Sequence, residues 1–343
     1  MAADPTTQRI GHDIAEAARS ALRAAGRALM KLAFVFPGQG SQSVGMMAGF
    51  DAHPAVRATF DESSAVLGQD LWGLVTAGPE SDLNRTVNTQ PVMLTAGVAV
   101  WRAWQAAGGA MPSILAGHSL GEYSALVAAG ALAFRDALPL VRFRARAMQE
   151  AVPAGVGAMA AILGLDATAV TAVCVEAVGD PATGQVVEPV NFNAPEQIVI
   201  AGHKEAVERA IAIAGGRGAK RGVLLPVSAP FHSSLLKPAA ERLAAMLAGV
   251  TFNAPTIPVL HNVDFAERPA ADAIRAALAQ QAASPVRWVE TIEAFAARGV
   301  THVVECGPGR VLTGLNKRIA RELKSFALTD GADLDAARTA LAG

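Results

Sequence analysis

Short apolar runs alternate with helix-like stretches along most of this chain. The run Leu32–Phe36 (LAFVF) is closed by a Pro-Gly turn, so it is predicted to be a buried strand. Residues 114–116 form a second such run, and the apolar-periodic stretches 91–105 and 136–152 are predicted to be helices. Strands that alternate with helices imply a mostly parallel sheet, because a crossover must return the chain before the next parallel strand.

The order of elements changes between residues 157 and 226. Here the predicted order is strand, helix, two strands, helix and strand, which is the ferredoxin-like pattern. We therefore expect an α/β fold in which a mostly parallel sheet domain is interrupted by a small α+β subdomain. The predicted boundaries place the large domain at residues 31–154 and 229–328, the subdomain at 155–228, a poorly ordered extension at 1–30 and a C-terminal tail at 329–343.

Composition narrows the classes of function. Hydrophobic residues make up 52% of the 343-residue chain and charged residues 17%, so a large core can be buried. The net charge of −1 argues against nucleic-acid binding, and no apolar run approaches the roughly 18–20 residues that span a membrane. Cys174 and Cys306 stand far apart and form no CxxC pair, which argues against disulfides and structural zinc. We therefore expect a cytoplasmic protein without a metal ion.

A G-x-S-x-G motif occupies residues 117–121, between a predicted strand and a predicted helix. Glycines on both sides of Ser119 permit the tight turn of a nucleophile elbow, which exposes the serine at a helix N-terminus. The backbone N–H of Leu120 is then placed to stabilise an oxyanion. His118 is adjacent, but at an elbow its side chain points elsewhere, so we expect it to pack locally. The motif makes Ser119 the candidate nucleophile.

A serine nucleophile needs a base, because its hydroxyl is barely ionised at neutral pH. The chain has seven histidines. His232 lies in a polar, proline-containing loop (VSAPFHSSLLKP) between a predicted strand and a predicted helix, but the residues alone favour it only weakly. The others are expected to be ordinary packed or solvated histidines: His12, His53, His118, His203, His261 and His302.

A second glycine loop, FPGQGSQ, follows the first strand at residues 36–42. It lacks the third glycine of a dinucleotide fingerprint and the lysine of a P-loop, so it is not predicted to bind phosphate. Two interpretations stay open. Either the loop donates a second backbone N–H to an oxyanion, or it is a plain tight turn.

Seven sequence blocks, taken together, carry a family resemblance. They are FVFPGQGSQ (34–42), TQPVMLTA (89–96), GHSLGEYSALVAAG (117–130), RAMQEAVP (146–153), NFNAPEQIVIAG (191–202), SAPFHSSLLKPAAE (228–241) and ECGPGRVLTGL (305–315). In this order they resemble malonyl-CoA:acyl carrier protein transacylases, over roughly residues 31–328. The resemblance implies a hydrolase-like α/β domain with an inserted ferredoxin-like subdomain, in agreement with the pattern of elements.

The resemblance also implies roles for individual residues. Ser119 would be the nucleophile, His232 the base, and the backbone carbonyl of Gln281 the group that orients the histidine. The remaining implied roles are oxyanion stabilisation by the backbone N–H groups of Gln39 and Leu120, binding of the malonyl carboxylate by Arg144, and lining of the acyl pocket by Gln90 and Phe231.

Three arginines compete for the role of carboxylate ligand. Arg142 and Arg146 lie four residues apart and share a helix face, while Arg144 points away from both. Periodicity does not say which face meets the core, so the choice of Arg144 rests on the resemblance. A guanidinium suits the role because it binds a carboxylate bidentately and keeps its charge.

The function implied by the resemblance is malonyl transfer for fatty-acid synthesis. The malonyl group of malonyl-CoA would pass through a malonyl-serine to the phosphopantetheine thiol of acyl carrier protein, in a ping-pong reaction without a cofactor. We expect a monomer that binds neither nucleic acid nor a membrane. An esterase or thioesterase is the rival interpretation, but those enzymes place their histidine near the C-terminus, whereas 111 residues follow His232 (343 − 232).

A docking patch is the remaining expectation. Carrier proteins of this kind are acidic, so a basic surface near the site entrance would steer them. Lys220 and Arg221 stand just before the His232 loop and are the candidates, with an ordinary solvated loop as the alternative.

Overall fold

The computed structural model describes residues 30–51, 53–227 and 229–342. The expected extension at residues 1–30 lies outside this part of the chain, apart from Met30. The strands are β1 (Leu32–Phe36), β2 (Ile114–Gly117), β3 (Gly157–Leu163), β4 (Val187–Ala194), β5 (Gln197–His203), β6 (Arg221–Leu224), β7 (Val259–Leu260), β8 (His302–Cys306) and β9 (Lys324–Leu328). The α-helices are α1 (Pro54–Leu67), α2 (Leu71–Ala77), α3 (Glu80–Leu83), α4 (Thr86–Ala106), α5 (Gly121–Ala128), α6 (Phe134–Glu150), α7 (Ala167–Val178), α8 (Lys204–Gly216), α9 (Lys237–Ala248), α10 (Ala271–Gln281), α11 (Trp288–Ala297), α12 (Val311–Ile319) and α13 (Gly331–Leu341).

The larger sheet is parallel and has the strand order β7-β2-β1-β8-β9. Its central strand β1 is buried along its whole length, and its side chains alternate between the two faces. Phe34 and Phe36 pack into the core on one face, and Ala33 and Val35 pack into the core on the other. Because both faces are covered, the central strand is apolar at every position rather than at alternate positions.

The smaller sheet is antiparallel and has the strand order β4-β5-β3-β6. Helices α7 and α8 pack against one of its faces through Val173 and Val207, among others. On the opposite face, Met159 and Val199 belong to the core of the larger sheet. The α/β fold class, with a mostly parallel sheet and a ferredoxin-like α+β unit, is confirmed. The exact domain boundaries stay our proposal.

Strand β4 connects the smaller sheet to the segment around Val286, which packs in the core of the larger sheet. The Phe192 N–H donates to the carbonyl of Val286 at 3.0 Å, and the Val286 N–H donates to the carbonyl of Val190 at 2.9 Å. The last residues of β1 and β2, Phe36 and Gly117, are paired in register. The loops that follow these two strands therefore leave the same edge of the parallel sheet, which is where α/β folds place their sites.

The C-terminal residues differ from the prediction. Residues 331–341 of the expected tail form helix α13, which buries Leu334 and Leu341 against the core. Asp330 caps this helix, because its Oδ1 accepts from the Asp333 N–H at 2.7 Å. The capping aspartate and the helical spacing of the leucines are signals that the sequence contained. Within the described ranges, no helix has the length and apolar character needed to cross a bilayer.

Candidate active site

Ser119 lies at the tip of the predicted strand–turn–helix. Strand β2 ends at Gly117, helix α5 begins at Gly121, and Ser119 itself has φ of +51°, in the left-handed region. A Cβ at position 117 would come within 1.9 Å of the Gly121 backbone, and a Cβ at position 121 would come within 2.0 Å of the Phe36 carbonyl oxygen. Both glycines are therefore required for the chain to turn this closely against β1.

His232 is the histidine that the fold brings to the serine. Ser119 Oγ lies 2.7 Å from His232 Nε2, and His232 Nδ1 lies 2.9 Å from the backbone carbonyl oxygen of Gln281. A carbonyl can only accept, so Nδ1 carries the proton and Nε2 is free to accept from the serine hydroxyl. Burial, with Arg144 nearby, lowers the pKa of His232 from 6.5 to about 3. The imidazole is therefore neutral, as a base must be, at ordinary pH.

Arg144 projects from helix α6 into the same site, while its two competitors do not. Arg142 donates to the Leu67 carbonyl at 3.0 Å, away from the site, and Arg146 is exposed. Arg144 is buried, and its guanidinium donates to Gln90 Oε1 and Gln281 Oε1, each at 2.8 Å, and to Ser119 Oγ at 3.1 Å. Within the described part of the chain its acceptors are all neutral, and its Nε–H has none.

The glycine loop after β1 packs directly on the elbow. A Cβ at Gly38 would lie 2.5 Å from the His118 carbonyl oxygen and 3.6 Å from the Leu120 nitrogen. The loop is held by Gln42, whose Oε1 accepts from the Gly40 N–H at 2.7 Å. Neither the Gln39 N–H nor the Leu120 N–H donates to another residue that the structure describes. Both residues line the cavity around Ser119, so two unused backbone donors are available there.

The cavity beside Ser119 has a volume of about 170 Å³. Its polar lining residues include Gln90, Arg144, His118, Asn191 and Asn193, and one side is apolar. The lining residues of the apolar side are Met148, Met159, Val199, Leu225, Val227 and Phe231. A small acyl group with one charged end therefore fits the shape and polarity of the space.

Sequence reasoning missed Asn262, which holds the elbow in place. Its Oδ1 accepts from the Ser119 N–H, and its Nδ2 donates to the Gly117 carbonyl, both at 2.6 Å. These two bonds fix the backbone on either side of His118. The available signal was its position in LHNVD, a polar stretch directly after a strand of the same sheet.

His118 packs locally, as expected. Its Nε2 contacts Asn193 Oδ1 of β4 at 2.7 Å, and its ring lies against Trp288 with centroids 5.4 Å apart. Burial lowers the pKa of His118. The imidazole thus ties the elbow to the smaller sheet, and it also lines the cavity beside Ser119.

Lys220 and Arg221 are not in the cavity. The Lys220 N–H donates to the carbonyl of Leu163, the last residue of β3. Leu163 lies four residues along this strand from the cavity residue Met159, which corresponds to about 13 Å. Lys220 Nζ lies 3.2 Å from Glu196, and its side chain is 76% exposed. No group of three or more His, Cys, Asp or Glu residues that could hold a metal ion occurs in the described ranges.

The parallel sheet, the elbow and the Ser119–His232 contact are typical of α/β-class enzymes that use a serine nucleophile. The acyl transferase domain family matches residues 33–342. The chain belongs to this family, within the group of malonyl-CoA:acyl carrier protein transacylases, and the resemblance inferred from sequence is confirmed.

Curated and solved relatives agree on this group. The malonyl CoA-acyl carrier protein transacylase of Salmonella typhimurium is 56% identical over 312 residues, which cover 91% of this chain and 100% of the relative. The crystal structure of the acyl-carrier-protein S-malonyltransferase of Burkholderia pseudomallei is 62% identical, with a TM-score of 0.88 and coverage of 90% and 100%. A malonyl-transacylase in complex with a type II PKS acyl-carrier protein is 53% identical, with a TM-score of 0.88 and coverage of 90% and 99%.

Proposed function

We propose that this protein transfers a malonyl group from malonyl-CoA to the phosphopantetheine thiol of acyl carrier protein, through a malonyl ester on Ser119, for fatty-acid synthesis. The observation that carries the proposal is the buried cation of Arg144, 3.1 Å from the nucleophile and without an anionic acceptor among the described residues. A buried cation with no anion in direct hydrogen-bond contact is costly, so the site suits a ligand that brings a carboxylate.

In the first half-reaction, Ser119 Oγ attacks the thioester carbonyl of malonyl-CoA, and His232 Nε2 takes the hydroxyl proton. The Gln281 carbonyl holds His232 Nδ1–H and stabilises the imidazolium that forms. The negative oxygen of the tetrahedral intermediate accepts from the backbone N–H groups of Gln39 and Leu120. The C–S bond then breaks, and coenzyme A leaves as the thiol with the proton from His232.

The second half-reaction runs the same steps with a different thiol. The phosphopantetheine thiol attacks the malonyl-Ser119 ester, and His232 takes the thiol proton. The ester C–O bond breaks and Ser119 recovers its proton from His232, which gives ping-pong kinetics. Throughout, Arg144 holds the far carboxylate, and Gln90 holds Arg144. These steps need no cofactor.

The rival function, hydrolysis, differs only in the final acceptor. The test is to supply malonyl-CoA with the phosphopantetheine form of acyl carrier protein and to measure carrier mass and free malonate together. We expect the carrier to gain one malonyl group faster than malonate appears. Release of malonate with no gain in carrier mass would make the protein a thioesterase and defeat the proposal.

We also propose that the surface around Lys220 and Arg221 docks the acidic carrier protein. Lys220 shares a surface recess with Arg318 of helix α12 and with Arg321, so three basic side chains meet there, with Glu196 among them. Such a surface raises the association rate mainly at low salt. Changing Lys220→Glu with Arg221→Glu should raise the KM for carrier protein at low ionic strength and leave the first half-reaction unchanged. The matched control is Arg57→Glu with Arg135→Glu, and equal effects from the two pairs would refute the docking proposal.

A further inference from the structure

Glu122 is a fully buried carboxylate that no step of the proposed reaction uses. It lies in the first turn of helix α5, three residues after the nucleophile. Its Oε1 accepts from His261 Nδ1 at 2.6 Å, and its Oε2 accepts from the Asn262 N–H at 2.9 Å and from Gln281 Nε2 at 2.8 Å. Burying a carboxylate costs free energy unless it is paired, so we expect Glu122 to have a role in the site.

The side-chain amide of Gln281 lies between Glu122 and Arg144. Its Nε2 donates to Glu122 and, at 3.0 Å, to the carbonyl of Ser119, while its Oε1 accepts from Arg144 Nη2 at 2.8 Å. The amide dipole is thus oriented with its positive end on the buried anion and its negative end on the buried cation. One residue separates two opposite charges that have no direct contact.

The charges of Glu122 and Arg144 act on one another through this amide. Burial lowers the pKa of Arg144, and the neighbouring Tyr123 and Glu122 oppose that lowering. The guanidinium also lies over the Tyr123 ring, 5.5 Å from its centroid. Of the groups around the guanidinium, Glu122 is the carboxylate, and both of its oxygens accept hydrogen bonds from buried donors.

We propose that Glu122 is a positioning residue for acyl transfer: it is the counter-charge of Arg144, relayed by Gln281, and it holds the guanidinium toward the cavity before the acyl donor arrives. The inference rests on the proposed role of Arg144 in binding the donor carboxylate. The Gln281 carbonyl that orients His232 belongs to the backbone of helix α10, so Glu122 acts chiefly on Arg144 and less on the base.

A double-mutant cycle on stability tests the charge relation without any substrate. Glu122→Gln can keep all three contacts, because its oxygen accepts from Asn262 and Gln281 while its nitrogen donates to His261 Nδ1 after a change of tautomer. It removes only the charge. We expect it to lower the unfolding temperature by several degrees, roughly 4–8 °C, in the wild type and by less than half as much in an Arg144→Met background.

The matched control is Glu305→Gln, which changes another buried carboxylate. Glu305 accepts from the N–H groups of Leu312 and Thr313 at the start of helix α12 and does not contact Arg144. Glu305→Gln should lower the unfolding temperature equally in the wild-type and Arg144→Met backgrounds. If Glu122→Gln lowers the unfolding temperature equally in both backgrounds, the proposal is overturned. If Glu122→Gln alone does not fold, recovery in the Arg144→Met background supports the proposal, and failure there overturns it.

A comparison of donors tests the positioning role. Glu122→Ala removes the acceptor that holds Gln281. We expect kcat/KM for malonyl-CoA to fall about 10–100-fold, and acetylation of Ser119 by the neutral ester p-nitrophenyl acetate to fall less than about threefold. Glu122→Gln should recover most of the malonyl rate, because it restores the acceptor. Equal losses for the two donors would overturn the positioning role, whereas failure of the wild type to transfer malonyl at all would defeat the proposed function instead.

Discussion

Replacing Arg144 by methionine should abolish the preference for a malonyl donor over an acetyl donor. Arg144 is 1% exposed, and the acceptors of its guanidinium are two amide oxygens and the serine hydroxyl. A carboxylate about 4 Å from this cation, in surroundings with an effective dielectric constant of about 20, gains about 4 kcal/mol. Since each 1.36 kcal/mol is a factor of ten, kcat/KM for malonyl-CoA should fall about 10³-fold.

The assay measures transfer from malonyl-CoA and from acetyl-CoA to carrier protein, for the wild type and for Arg144→Met. The acetyl rate should change less than about threefold, because an acetyl group has no carboxylate to lose its partner. Arg146→Met is the control, since it removes an exposed charge from the same helix. Parallel losses with both donors would show that Arg144 supports the site as a whole and does not select the acyl group.

Three further predictions concern the base and the elbow. The pKa of His232 lies below its unfolded value of 6.5, so its neutral form stabilises the fold above pH 6.5, and this stability falls by about 1.4 kcal/mol per pH unit as the pH drops toward 3. The unfolding temperature of His232→Gln should accordingly fall less between pH 7 and pH 5 than that of the wild type. Asn262→Ala should lower the free energy of unfolding by roughly 2–4 kcal/mol, measured with urea, because two buried elbow groups lose their partners. Gly121→Ala should cost more than about 3 kcal/mol in the same assay, whereas Gly215→Ala, with open space around its Cβ, should be neutral or mildly stabilising.

The parts of the site that could be predicted from sequence are those with a local signature. The elbow at residues 117–121 is one turn between a strand and a helix, and each of its glycines is needed for a contact within that turn or with the neighbouring strand. The opposite facing of Arg144 and Arg146 follows from helical geometry alone. His232 has no such local signature among the seven histidines, so only the family resemblance favours it strongly.

The parts that could not be predicted depend on distant contacts. Asn262 bonds to Ser119 across 143 positions of the chain, and Glu122 bonds to Gln281 across 159. An asparagine after a strand is compatible with any loop. A glutamate in the first turn of a helix is sufficiently explained by its favourable interaction with the helix dipole. Only the folded structure, in which Glu122 of α5 accepts from Gln281 at the end of α10 and from the Asn262 N–H after β7, brings these side chains together at the elbow.

The central claim is that malonyl passes through an ester on Ser119. The most direct measurement exposes the protein briefly to malonyl-CoA without carrier protein, quenches it in acid, and locates the modification by mass spectrometry of peptides. We expect one malonyl group on the peptide that contains Ser119 and none in Ser119→Ala. An active protein whose Ser119 peptide stays unmodified, or that is modified equally in Ser119→Ala, would contradict it.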